Sequence, residues 1–118
     1  MPAQFMWFDL STADAGQARE FYCAMFGWAV TPAENAGAYR AWITDGPQPW
    51  AGIADDGAAG RWLPYVAVED LDQAAKRAVS LGATVVAGPV SGPAGTTVTI
   101  ADPGGAQLAL FRPHASTG

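Results

Sequence analysis

Cysteine and histidine are almost absent, with one of each, Cys23 and His114, in 118 residues. A single thiol cannot close an intramolecular disulfide, and neither a cysteine cage nor a histidine cluster can form within one chain. A zinc-finger or poly-histidine site is therefore excluded. Charge is scarce, at 14% of residues, and basic charge scarcer: 6 Lys+Arg stand against 11 Asp+Glu, a formal net charge of -5. Without a basic stripe to neutralise phosphates, neither nucleic acid nor an anionic membrane is an expected partner. Long apolar runs are missing too. The longest uncharged stretch, Ala78 to Ala101, is broken by Gly82, Gly88, Pro89, Gly92, Pro93 and Gly95, and a membrane-spanning helix would not tolerate breakers so densely set. No basic segment precedes the apolar part of MPAQFMWFDL, so no secretory leader is expected and the expected location is the cytoplasm.

What is present suits a packed core: half of the residues are apolar and 11% aromatic, in a length typical of one domain. The chain also repeats itself. Asp14-Ala-Gly-Gln17 and Asp70-Leu-Asp-Gln73, 56 residues apart, both have the form of a helix start in which Asp accepts from an early backbone N–H. Behind them, Ala15, Ala18, Tyr22 and Met25 match Leu71, Ala74, Ala78 and Leu81, each set lining one helical face. Gly27 and Gly82 are the expected stops. An extended run precedes each helix, Phe5 to Leu10 and Trp62 to Val68, and a short strand follows, Trp28 to Thr31 and Thr84 to Ala87. Hairpins then recur at a spacing of 57: Trp42-Ile-Thr-Asp45-Gly-Pro into Trp50-Ala-Gly-Ile53, and Thr99-Ile-Ala-Asp102-Pro-Gly-Gly into Leu108-Ala-Leu-Phe111. Asp-Gly and Asp-Pro-Gly-Gly form turns because Asp bonds its own backbone and Gly accepts positive φ.

Each half reads β-α-β-β-β, giving module one over 1–55, a connector over 56–60 and module two over 61–118. Roughly 55 residues bury too little to be stable alone, so the halves are expected to pair in one domain. The expected class is α+β, with a curved eight-stranded mixed sheet around a cavity and the two helices outside.

FYCAMFGW (Phe21 to Trp28), LGATVV (Leu81 to Val86) and ADPGGAQLALF (Ala101 to Phe111) in a repeated βαβββ frame resemble the vicinal oxygen chelate superfamily. That group includes glyoxalase I, bleomycin-resistance proteins and extradiol dioxygenases. The resemblance implies a homodimer. In the enzymes of the superfamily it implies a divalent metal held by His, Gln or Glu from the first and last strands of each module. Here those positions fall on Trp7, Leu63, Gly52 and Ala109, and a one-residue shift gives Phe8, Pro64, Ile53 and Leu110. None offers the oxygen or nitrogen donors such an ion needs, so neither metal nor other cofactor is expected.

Alternation along the strands puts Trp7 on one face with Asp9, and Leu63 with Tyr65; around the last strands it offers Trp50, Gly52, Gln107, Ala109 and Phe111. The middle strand adds either Trp42 and Thr44 or Tyr39, Ala41 and Ile43. The candidate ligand-binding residues are Trp7, Trp42, Trp50, Gln107 and Phe111, around a small, aromatic or amphipathic organic molecule, neutral or cationic. Whether the chain is an enzyme stays open. The alternative is a metal-free isomerase, cyclase or lyase in which Asp9 or Tyr65 transfers a proton. Asp14, Asp45, Asp70 and Asp102 already have cap or turn roles.

Overall fold

The computed structural model describes residues 3–56, 60–92 and 94–114. Its elements are β1 (Phe5–Ser11), α1 (Ala15–Phe26), β2 (Ala29–Pro32), β3 (Tyr39–Asp45), β4 (Gln48–Ala54), β5 (Arg61–Ala67), α2 (Leu71–Ser80), β6 (Thr84–Ser91), β7 (Gly95–Ala101) and β8 (Gln107–Pro113). The fold is α+β, with two helices and an eight-stranded mixed sheet. Of the expected connector, residues 57–59 lie outside the described residues.

The chain divides into two compact units. One is Trp7–Leu63; the other comprises the residues before Trp7 and those from Pro64 onward. In the first, the strands run β2-β3-β4-β1, antiparallel except for β1 alongside β4. In the second they run β5-β8-β7-β6, and only β5 alongside β8 is parallel. The registers repeat: Asp9 faces Gly52 and Gly52 faces Trp42, while Tyr65 faces Ala109 and Ala109 faces Thr99. The 56- and 57-residue spacings in the sequence are therefore a duplicated pairing scheme.

Both helices start as their caps dictate. The Asp14 carboxylate accepts from the Gln17 N–H at 2.9 Å and that of Asp70 from the Gln73 N–H at 3.0 Å, each satisfying an otherwise unpaired donor of the first turn. Gly27 closes α1 at φ 68°, a left-handed conformation that costs glycine nothing. The helical stripes are shorter than their periodicity predicts. Ala15, Ala18 and Tyr22 pack on the first unit's core, but Met25 stands in solvent; Leu71, Ala74 and Ala78 pack on the second, but Leu81 does not. The last turn of each helix thus projects past the apolar surface it was expected to cover.

Each unit buries its own core between its helix and one face of its strands. Leu10, Ala41, Ile43, Ala51 and Ile53 form the first; Leu71, Val98, Ile100 and Leu110 form the second. With the helix on one side, side chains at the intervening positions point to the opposite face.

Candidate functional site

On the first unit's strands, away from α1, a carboxylate is surrounded by aromatic rings. Asp9 is 8% exposed. It accepts from the Trp7 indole N–H at 2.7 Å and from the Tyr39 hydroxyl at 2.6 Å to one oxygen and 2.8 Å to the other. Distances this short mark charge-assisted bonds. Trp7 meets Trp42 edge-on, with ring centroids 6.1 Å apart, and Tyr39 lies tilted against Trp42 at 4.7 Å. All three rings are half-buried, so each still offers surface.

The local sequence produces this arrangement in three steps. Alternation puts Trp7 and Asp9 on one face of β1, two residues apart, which lets the indole N–H reach the carboxylate. Trp42 reaches the same face because it pairs with Gly52, which pairs with Asp9. Tyr39 would not share that face by strict alternation. A register shift between Tyr39 and Ala41 places Arg40 as an extra residue, and Tyr39 pairs with Ala54. The bulge turns the Tyr39 ring onto the Trp42 side. Gly52 makes room for that ring: a Cβ built there would lie 2.5 Å from Tyr39 Cε1.

The sequence offered two faces for the middle strand, Trp42 with Thr44 or Tyr39 with Ala41 and Ile43. The bulge takes one member from each, since Trp42 and Tyr39 meet while Ala41 and Ile43 lie in the core. Tyr39 is the residue that sequence reasoning did not single out. Its signal was Gly52, the one of the four metal-equivalent positions without a side chain, beside which the Tyr39 ring lies.

Trp50 does not join Trp7, Asp9 and Trp42. A second register shift, between Ile43 and Thr44, leaves Trp50 between the paired positions Pro49 and Ala51. Its ring packs on the helix-side core, edge-on to Trp28 at 4.8 Å and to Phe8 at 6.4 Å. In the second unit, Tyr65 is half-buried opposite Ala109 and meets Phe111 edge-on at 6.0 Å. Gln107 is exposed and pairs with Ala101. Cys23 is a half-buried free thiol. His114 is exposed, its ring bonded to the Gly92 carbonyl.

The positions that the superfamily resemblance assigns to a metal do not suit one. The Trp7 indole nitrogen carries a hydrogen and donates it to Asp9; the space beside Gly52 is taken by the Tyr39 ring; Leu63 and Ala109 are buried hydrocarbon. Among the described residues, no three His, Cys, Asp or Glu side chains gather where they could hold an ion. No described helix is long and apolar enough to cross a membrane.

Duplicated βαβββ units with a parallel first-to-last strand pair in each define a vicinal oxygen chelate fold. Residues 6–111 match the model of the glyoxalase-like domain, and the chain belongs to that family. It is 31% identical over 121 residues to a protein of Mycobacterium tuberculosis named as a glyoxylase, CFP32, covering 95% of this chain and 46% of that protein. It is 34% identical over 119 residues to the anthracycline biosynthesis protein DauV of a Streptomyces species, covering 93% and 42%. The chain thus spans about half the length of these curated relatives. Among solved structures, a Streptomyces coelicolor methylmalonyl-CoA epimerase in complex with 2-nitronate-propionyl-CoA superposes with a TM-score of 0.64 at 16% identity, over 97% of this chain and all of that one. At that identity the likeness is one of fold.

Proposed function

We propose that this glyoxalase-like protein binds a small aromatic or amphipathic organic molecule, without a metal ion, against the face formed by Trp7, Asp9, Tyr39 and Trp42. The observation that carries the reading is the set of half-buried rings around one buried, hydrogen-bonded carboxylate. Flat apolar surface with a single fixed polar group is the usual make-up of a small-molecule site. The donors that a catalytic ion would need are missing from the strand positions where the superfamily carries them. An aromatic ligand should quench tryptophan fluorescence without being consumed. Trp42→Phe is expected to weaken that ligand about tenfold by removing stacking area, whereas Trp50→Phe, on the helix side, should leave its affinity within twofold. The reverse order would move the site away from this face.

A second reading is favoured by one distance. The 2.6 Å bond between Tyr39 Oη and the Asp9 carboxylate couples two protonatable groups, as a metal-free isomerase, cyclase or lyase would require for proton transfer. On this reading Asp9 is the base, with Tyr65 as the candidate of the other unit. Turnover of any ligand by the native chain and its loss in Asp9→Asn would establish it; unaltered ligand after prolonged incubation favours binding alone.

We further infer that the chain is a homodimer. What supports this is the apolar outer surface of α1, where Phe21, Met25 and Phe26 are each more than half exposed, an arrangement typical of association surfaces. Sedimentation equilibrium should return twice the monomer mass, falling toward the 12.2 kDa monomer in Phe21→Glu. A native monomer would refute the inference.

A further inference from the structure

Within the second unit, a cavity of about 560 Å³ opens between the start of α2 and strands β6, β7 and β8. Small-molecule sites span roughly 300–1,000 Å³. The cavity shares no residue with the face around Asp9. One of its walls comes from an irregularity of β6. Between Ala87, which pairs with Thr99, and Val90, which pairs with Thr97, β6 carries two residues, Gly88 and Pro89, against the single Val98 of β7. Such a bulge bends the strand and is a common feature beside binding sites. In the first unit the counterpart strand β2 pairs with β3 without a shift and ends after four residues, so the bulged wall is particular to the second unit. The floor is apolar. Leu71 and Val98 belong to the core, and Ala75, Val85 and Pro89 lie beside them, with Val85 still 42% exposed.

Alternation carries this surface out to charged residues. Thr96 and Arg112 pair with each other two positions beyond the core pair Val98 and Leu110, so their side chains emerge on the same side. Arg112 donates its Nε–H to the Glu69 carbonyl at 3.2 Å. That bond anchors the guanidinium at the edge of the cavity and leaves its two terminal nitrogens, a fork suited to a carboxylate. Three carboxylates border the same cavity. That of Asp70 caps α2 by accepting from the Gln73 N–H, and that of Asp72 pairs with Lys76 at 3.1 Å. Glu69 remains, and among the described residues no ion pair joins it to Arg112. One negative and one positive side chain thus border a shared apolar floor without neutralising each other.

We propose that this cavity binds an amphipathic zwitterion of the α-amino acid class, with its carboxylate on Arg112, its ammonium on Glu69 and an apolar side chain over Leu71, Ala75, Val85 and Val98. A ligand with a single charge would satisfy one of the two groups and bring a like charge close to the other, which weakens binding.

Three probes share a phenyl ring and differ in charge: L-phenylalanine, hydrocinnamate, which lacks the ammonium, and phenethylamine, which lacks the carboxylate. Each is titrated against the intact chain by calorimetry and by mapping of amide chemical shifts. L-phenylalanine is expected to bind at least about tenfold more tightly than either of the others, with the shifts centred on residues 69–75, 85–89, 96–98 and 112. Arg112→Gln should bring its affinity down to that of phenethylamine, and Glu69→Gln to that of hydrocinnamate. Both side chains are exposed, so neither change threatens the fold. Trp42→Phe should leave L-phenylalanine binding within about twofold, which separates this cavity from the face around Asp9. A singly charged probe bound as tightly as L-phenylalanine, shifts centred elsewhere, binding lost in Trp42→Phe, or no binding at all would overturn the assignment and leave the reading of the Asp9 face to its own tests.

Discussion

Ile43→Ala should cost about 2–5 kcal/mol of unfolding free energy, a large share of the roughly 5–15 kcal/mol that holds a domain together. Ile43 is fully buried on β3, paired with Ala51 on one side and Val30 on the other, and it lies in the core that α1 covers. Truncation deletes most of a branched side chain and leaves a void. Its neighbours cannot fill that void easily: Ala51 contributes only a methyl, and β2, β3 and β4 are held at fixed spacing by their ladders. Urea denaturation should therefore show a lower midpoint with an unchanged slope, the signature of lost stability without a change in the surface exposed. Val86→Ala is the control, since Val86 is 48% exposed on β6 and its truncation should shift stability by no more than about 0.5 kcal/mol. Equal effects at the two positions would mean that the burial pattern is wrong.

The duplication that places Ile43 was legible in the sequence because it is a property of order and spacing. Asp14 and Asp70 mark their helices through a bond each makes within its own turn. The equivalence of Asp9 with Tyr65, and of Gly52 with Ala109, followed from residue counts and reappears in the parallel pairings of β1 with β4 and β5 with β8. What could not be read was irregularity inside the strands. Period-two reasoning assumes one residue per rung, and the extra residue at Arg40 and the offset at Trp50 break that count. So Tyr39 joined the face of Trp42, and Trp50 left it. β6 runs on through Gly88 and Pro89 to Ser91, where the sequence reads as a link. Turn formers are tolerated there because, among the described residues, β6 is an edge strand alongside β7 and exposed throughout. The helix stripes failed at their last positions for a related reason: periodicity says which face a residue lies on, not how far the surface beneath it extends.

Gly52→Ala is the smallest change that should disturb the site. The added methyl would stand 2.5 Å from Tyr39 Cε1, 2.9 Å from Cδ1 and 3.2 Å from an Asp9 oxygen, so the ring must move. It is held at both ends of that motion, its hydroxyl by Asp9 and its face by Trp42. Displacing it therefore breaks a short hydrogen bond to a carboxylate that is 8% exposed. Overpacking and the weakened partner of a buried charge together are expected to cost about 2–4 kcal/mol, and binding at this face should weaken at least about tenfold. A double-mutant cycle isolates the cause. If the clash is with the Tyr39 ring, Tyr39→Ala should cost less in the Gly52→Ala background than in the native chain, with a coupling of about 0.5–3 kcal/mol. Ala109 is the internal reference: the equivalent of Gly52 in the second unit, it already carries a methyl and is fully buried. The residue 57 positions after Tyr39 is Thr96, whose side chain has no ring to lay across the strand. The duplicated scaffold accepts the methyl where no tyrosine crosses it, so the demand for glycine at 52 comes from the site and not from the fold. Retained stability and retained binding in Gly52→Ala would show that the ring has room to spare and would remove Gly52 from the site's construction.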